Sequence, residues 1–276
     1  MKIMGEVPRI HRPDLEEFTQ RWLVEGQPVV ITGGMEGWEA PTKWTPQYLS
    51  EHCGDNEVPV RKLSPDGETL VKRMPLREYL AQLVDSPEAS RHGSIGEVPL
   101  RQVLWQVERD LGPTPYRRSA VGDLAVMIGR KTYAPLHFHG STDALSSLVV
   151  GTKRFVLFDP AQPASLYPRA WYDPGFYNFS FLDLDTDKQV DPTRFPDFER
   201  LVGLECTLHA GEALFIPVHW WHTVYGNDDF NILLVDFFDA PLNRWKFPFP
   251  GVRSLVQRTV ERATPRRLVD WYTTHA

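Results

Sequence analysis

Two hydrophobic rhythms divide this chain near residue 120. Before that point, stretches with helical spacing alternate with short apolar runs. Asp14 is placed to cap a helix whose Leu15, Phe18 and Trp22 share one face, with Glu17 three residues on as in a capping box and Gly26 to end it. Pro28, Val29, Val30, Ile31 and Thr32 then read as a buried strand entering the Gly33-Gly34 turn. Thr45 caps a second helix, opened by Pro46 and closed by Gly54, and a strand follows at 58–62.

After residue 124 the helical period disappears. Short apolar runs at 124–128, 145–150, 154–158, 205–208, 213–216, 222–225 and 231–237 are broken by turn residues, which predicts an antiparallel sandwich or barrel. Between them, 159–197 is rich in Pro, Asp, Tyr and Phe with little periodicity, and is expected to be an ordered insertion over the barrel mouth. Past residue 253, Leu255, Val256 and Val260, then Leu268, Val269 and Trp271, suggest two short helices separated by Pro265.

Composition narrows the class. At 276 residues, 42% hydrophobic and 24% charged, the chain suits one main globular domain. A net charge of -6 and a pI near 5.9 provide no basic field, so the footprint of a nucleic-acid binder is missing. Arg262, Arg266 and Arg267 read as a solvated helix face, and Asp183, Asp185, Asp187 and Asp191 as a solvated loop. Cys53 and Cys206 make neither a CxxC pair nor a disulfide framework, residues 1–8 lack the apolar core of a signal peptide, and no run of eighteen apolar residues occurs. The expectation is a soluble cytoplasmic protein with no nucleic-acid or membrane partner.

Chemistry concentrates in two segments. His137 and His139 flank Phe138 near a strand end, where alternate residues project to one face. Downstream, Gly211-Glu212 forms a turn, 213–216 a buried strand, Pro217 a bend, and His222 opens the next strand. Such a hairpin can return a third imidazole to the first pair. Imidazole is a common ligand of first-row metals, and three of them leave coordination positions for oxygen and a substrate. The residues thus point to a mononuclear metal site of His137, His139 and His222 in an oxygen-using metalloenzyme. His219 is expected at the rim rather than on the ion, and Trp220 and Trp221 in packing.

The segment 27–33 with Trp38 and Trp44-Thr45, the run Ala134-Pro135-Leu136-His137 leading into 150–158, the pairs Tyr167-Pro168 and Phe195-Pro196 with Ser180, and the whole of 211–222 are similar to the motifs of one family. The chain resembles the JmjC and JmjC-like (cupin-8) oxygenases of the cupin superfamily over nearly its whole length. The resemblance implies a mainly β, double-stranded β-helix (jelly-roll) barrel at 121–242 with the insertion 159–197, an α/β extension at 1–120 packed on it, and a helical segment at 243–276. It also implies Fe(II), used with 2-oxoglutarate and O2 to hydroxylate a protein side chain or a small molecule. His137 takes the first ligand position, His222 the last, and Lys153 the place of the basic residue that salt-bridges the cosubstrate's distal carboxylate. Family members often dimerise through C-terminal helices, and Leu255, Val256 and Val260 offer such a face.

Several positions depart from the family's pattern. His139 stands where an aspartate usually completes HxD, raising the charge of the site by one unit. Asp143 follows the histidine pair much as a glutamate does in the general cupin motif, and is a candidate fourth ligand, an outer partner or a loop-capping residue. Ala134 replaces a threonine that often bonds the cosubstrate, and Asp236 stands near a customary asparagine, where a carboxylate would repel 2-oxoglutarate unless paired or protonated. Tyr133, Tyr225 and Ser147 are candidate substitute donors. Two other readings stay open: a cupin-type metalloenzyme that does not use 2-oxoglutarate, and a JmjC-like binding protein that no longer turns over.

Overall fold

Each apolar run expected to be a strand after residue 124 forms one, and most extend beyond the run itself. The computed structural model describes residues 1–64, 67–85, 93–118, 123–170, 177–185 and 189–245, together with Val252, Leu255, Val256 and Thr259. In chain order the strands are β1 (Lys2–Glu6), β2 (Arg9–His11), β3 (Val29–Thr32), β4 (Glu57–Ser64), β5 (Gly67–Pro75), β6 (Ile95–Pro99) and β7 (Ala125–Gly129). They continue with β8 (Tyr133–His137), β9 (Thr142–Val150), β10 (Thr152–Phe158), β11 (Val202–His209), β12 (Ala213–Ile216), β13 (Trp221–Gly226) and β14 (Asn231–Asp239).

The strands from β7 onward form the double-stranded β-helix: they alternate between two sheets except at the middle, where β10 and β11 pair antiparallel within one sheet. One sheet has the order β2-β3-β12-β9-β14-β7-β6 and the other β1-β11-β10-β13-β8, while β4 and β5 form a separate hairpin. Strands from the first hundred residues therefore complete both barrel sheets. β3 adds antiparallel to β12, and β1 adds parallel to β11.

Three apolar layers hold this arrangement. Between the sheets lie Phe155, Leu157, Leu208, Leu214, Leu233 and Val235. The outer face of the larger sheet is covered by Phe18, Trp22, Trp44, Leu49, Leu80 and Leu104 from the N-terminal elements. On the other side Leu166, Leu182, Phe195 and Leu201 of the insertion and its flank cover Leu136, Phe138, Phe158 and Trp221.

The helix starts follow the sequence signals. Asp14 accepts the Glu17 N–H at 2.7 Å, and Thr45 accepts the Tyr48 N–H at 3.1 Å ahead of the helix Pro46–Cys53. The first helix, Leu15–Phe18, widens into a π-helical stretch at Thr19–Val24, so Phe18 and Trp22 are buried while Leu15, expected on the same face, is 41% exposed.

Cys53 and Cys206 are buried and unlinked, and burial pushes their thiols up to about 11 and about 12. Among the described residues no helix is long and apolar enough to cross a membrane. Val252, Leu255, Val256 and Thr259 are helical and exposed. Val260, Pro265, Leu268, Val269 and Trp271, the basic cluster Arg262, Arg266 and Arg267, and Asp187 lie outside the described residues.

Candidate metal centre and its cavity

His137 ends β8 and His222 lies near the start of β13, and the two face each other across that ladder. Between Ala134 and His137 the edge strand β8 holds one residue more than β13 does between Val224 and His222. This bulge resets the alternation, so that both Ala134 and His137 point into the barrel. Pro135 is tolerated there because β8 is an edge strand, and its carbonyl accepts from His137 Nδ1 at 2.7 Å. His139 follows beyond the strand end.

The three histidines converge, each offering a nitrogen within 4.8 Å of the others'. Ring centroids lie 4.2 Å apart for His137 and His222 and 4.7 Å for His139 and His222. Burial lowers the affinity of all three for protons. Removal from water is the main cause in each, repulsion from a neighbouring imidazole adds to it for His139 and His222, and His139 falls to about 3. The rings are therefore neutral near pH 7. Because His137 Nδ1 and His222 Nδ1 both donate to carbonyls, of Pro135 and Trp220, each keeps its lone pair on Nε2. His139 Nδ1 is buried with no hydrogen-bond partner among the described residues, an orphaned polar atom that a cation would satisfy. Neutral, pre-oriented imidazoles are the donor set a first-row metal takes.

The triad opens into a cavity of about 330 Å³ that also contains Lys153. Lys153 is 5% exposed, and its Nζ donates to Thr132 Oγ1 at 3.0 Å. Desolvation lowers its ammonium to about 8, and no carboxylate pairs with it among the described residues. A buried cation facing a cavity, with no counter-ion among the described residues, fits a carboxylate-bearing ligand. Gly226 is what lets Thr132 approach, since a Cβ there would lie 2.8 Å from Thr132 Oγ1.

Other expected site residues fall elsewhere. Asp143 is not in the histidine group: its carboxylate is fully buried, ion-paired with Arg244 and bonded by the Val218 N–H at 2.9 Å. Its carboxylate is turned to Arg244 and to the bend before His222, so the structure does not bring it together with the three histidines. Ser147 is also displaced, because on β9 it is Ser146 that faces the cavity, beside Val235, while Ser147 faces the opposite way beside Leu234. The same alternation carries Asp236 out of the cavity, between Val235 and Phe237 which line it, and its carboxylate accepts the Arg118 N–H. The expected repulsion of a dicarboxylate by Asp236 is thereby removed.

Tyr133 lines the cavity, but its hydroxyl accepts from Leu184 N at 2.9 Å and donates to Asp183 at 3.1 Å. Tyr225 donates to Leu184 O at 2.6 Å and is not in the lining. Both phenols latch the insertion to the barrel. Ala134 lines the wall and brings no donor. His219, expected at the rim, is fully buried. Trp220 and Trp221 are packed as expected, Trp220 Nε1 donating to Gly26 O at 3.0 Å.

Two contributors were not foreseen. Thr132 precedes its strand without any spacing signal. Phe179, from the insertion, stacks on His137 with centroids 5.3 Å apart and planes at 19°. It is placed by a bridge between Phe179 and His137, flanked by bonds from Phe138 N to Asn178 O and from Ser180 N to Leu136 O.

The family described as "Cupin-like domain" matches residues 15–244. Among curated proteins, "Lysine-specific demethylase 8" of Xenopus tropicalis is 28% identical over 236 residues, covering 80% of this chain and 50% of that protein. Its namesake in Danio rerio is 30% identical over 229 residues, covering 79% and 55%. "Bifunctional peptidase and (3S)-lysyl hydroxylase JMJD7" of Homo sapiens is 26% identical over 253 residues, covering 79% of each. The chain spans about half the length of these two demethylases.

Proposed function

Because the chain belongs to the cupin-like domain family, we propose that it is an Fe(II)- and 2-oxoglutarate-dependent oxygenase of the hydroxylase kind, acting on a protein side chain or a small molecule. The observation that carries this reading is Lys153: a buried ammonium with no counter-ion among the described residues, in the same cavity as three neutral imidazoles. Burying that charge costs stability, and a dicarboxylate would return the lost interaction. The names of the relatives, a demethylase and a lysyl hydroxylase, support the oxidative class.

The donor set assigns the parts. His137, His139 and His222 would hold iron, and Lys153 with Thr132 would hold the distal carboxylate of 2-oxoglutarate. When bound, the pair would supply oxidising chemistry in which 2-oxoglutarate, O2 and a C–H bond of the target give succinate, CO2 and a C–OH on the target, one oxygen atom going to each organic product. The protein's own work is placement: Phe179 and Phe237 wall the triad, and Tyr133 and Tyr225 fasten the insertion to the barrel beside it. Succinate formation that requires Fe(II), together with calorimetric binding of 2-oxoglutarate to the metal-loaded protein, tests the proposal. Iron-loaded protein that neither binds nor consumes 2-oxoglutarate would defeat it.

A second reading draws on His139. An all-imidazole site carries one more positive charge than a site with a carboxylate, which suits a cupin-type metalloenzyme whose anionic substrate binds the ion without 2-oxoglutarate. Metal analysis followed by a 2-oxoglutarate titration separates the two.

A further inference from the structure

Of the three histidines, His139 is the one that no strand holds. His137 and His222 are partnered across β8 and β13, and each has Nδ1 tied to a carbonyl two residues earlier. His139 lies past the end of β8, and its Nδ1 is without a partner among the described residues. Something else must fix its backbone.

We infer that His219 is the positioning residue for His139. Its backbone N–H donates to His139 O at 3.1 Å, and its Nε2 donates to Gly140 O at 3.0 Å, so one residue grips two successive carbonyls of the ligand's turn. The grip is itself braced. The imidazole is fully buried, edge-on to Phe138 at 5.8 Å and to Trp245 at 5.5 Å. The residue before it donates its N–H to Asp143, whose charge Arg244 balances.

Backbone conformation supports the assignment. His219 sits at φ 68°, a region where a Cβ is strained and glycine is at ease. A bulky side chain held there against strain is the pattern found where geometry serves function. Through His219 the bend that leads to His222 is tied directly to the turn that carries His139, and the spacing of the two rings is set by that tie.

This inference rests on the reading of the triad as a metal site, and its test separates the two. Co(II) binding is measured by its visible spectrum, alongside the melting of the metal-free protein, for wild type, His219→Leu and His219→Gln. The two variants carry similar backbone strain, but only glutamine can donate to Gly140 O. The expected result is one Co(II) per wild-type chain, affinity weakened about tenfold or more with an altered spectrum in His219→Leu, and most of that loss restored in His219→Gln. Equal affinity in all three proteins, or equal loss in both variants, would overturn the inference and mark His219 as packing. Wild-type protein that takes up no Co(II) would overturn the metal reading along with it.

Discussion

Lys153 Nζ donates to Thr132 Oγ1 at 3.0 Å inside the cavity, and no acidic side chain pairs with it among the described residues. With its ammonium at about 8 instead of 10.5, Lys153 is charged below pH 8 and neutral above. Affinity for 2-oxoglutarate should therefore be level up to about pH 8 and then fall by up to about tenfold per pH unit, as calorimetry with a redox-inert divalent metal would record. Folding should respond in the opposite sense: between 8 and 10.5 the unfolded chain binds the proton that the folded one refuses, so the Lys153 contribution rises with pH. Lys153→Met is expected to melt higher and to lose 2-oxoglutarate binding. If it binds as tightly as wild type, the anchor is misassigned.

The triad predicts an acid-sensitive metal-free protein. Folded His137, His139 and His222 stay neutral where unfolded histidine protonates near 6.5, so their contribution is complete above that pH and is lost as the pH falls. The slope should reach about 1.4 kcal/mol per pH unit for each imidazole. Denaturant unfolding of apo-protein between pH 7 and 5 measures it, and His139→Asn should flatten it by about a third. An unchanged slope would mean that His139 is solvated.

Neighbouring serines on β9 should behave differently. Ser146→Val places two methyl groups into the cavity and is expected to weaken 2-oxoglutarate binding several-fold. Ser147→Val projects to the other face of the sheet and should leave binding within about twofold. The reverse order in a titration would contradict the register.

Breaking the Asp143–Arg244 pair should be costly. Asp143 is fully buried, and burial already pushes its carboxyl up against the pull of Arg244. Arg244→Met leaves that carboxylate unpaired, and a loss of about 3–5 kcal/mol in equilibrium unfolding is expected. Adding Asp143→Asn should recover part of it. A loss under about 1 kcal/mol would show that the pair carries little.

How much of this was legible in the sequence depends on how local each signal is. The strands after residue 124 were readable because their apolar runs are bounded by turns, and the triad because HxH and the bend before His222 are short-range spacings. β1 was not, since Lys2–Glu6 is an edge strand with no fully buried side chain, and its pairing with β11 is entirely non-local. Ser147 and Asp236 were misplaced because sequence alone does not say which alternate residues of a strand face inward. Thr132 and Phe179 gained their roles from chain segments brought together only by folding, through Gly226 and through the bridge to β8.

The opening strands have a practical consequence. β3, with Val29, Val30 and Ile31 fully buried, zips onto β12, and β1 zips onto β11. Cutting the molecule down to its barrel would bare three raw rows of peptide groups, on β11, on β7 where β6 is lost, and on the strand that runs into Pro217. A fragment trimmed this way would stick to its own copies before it could organise an ion. The smallest portable unit of this fold therefore includes the strands of the first hundred residues.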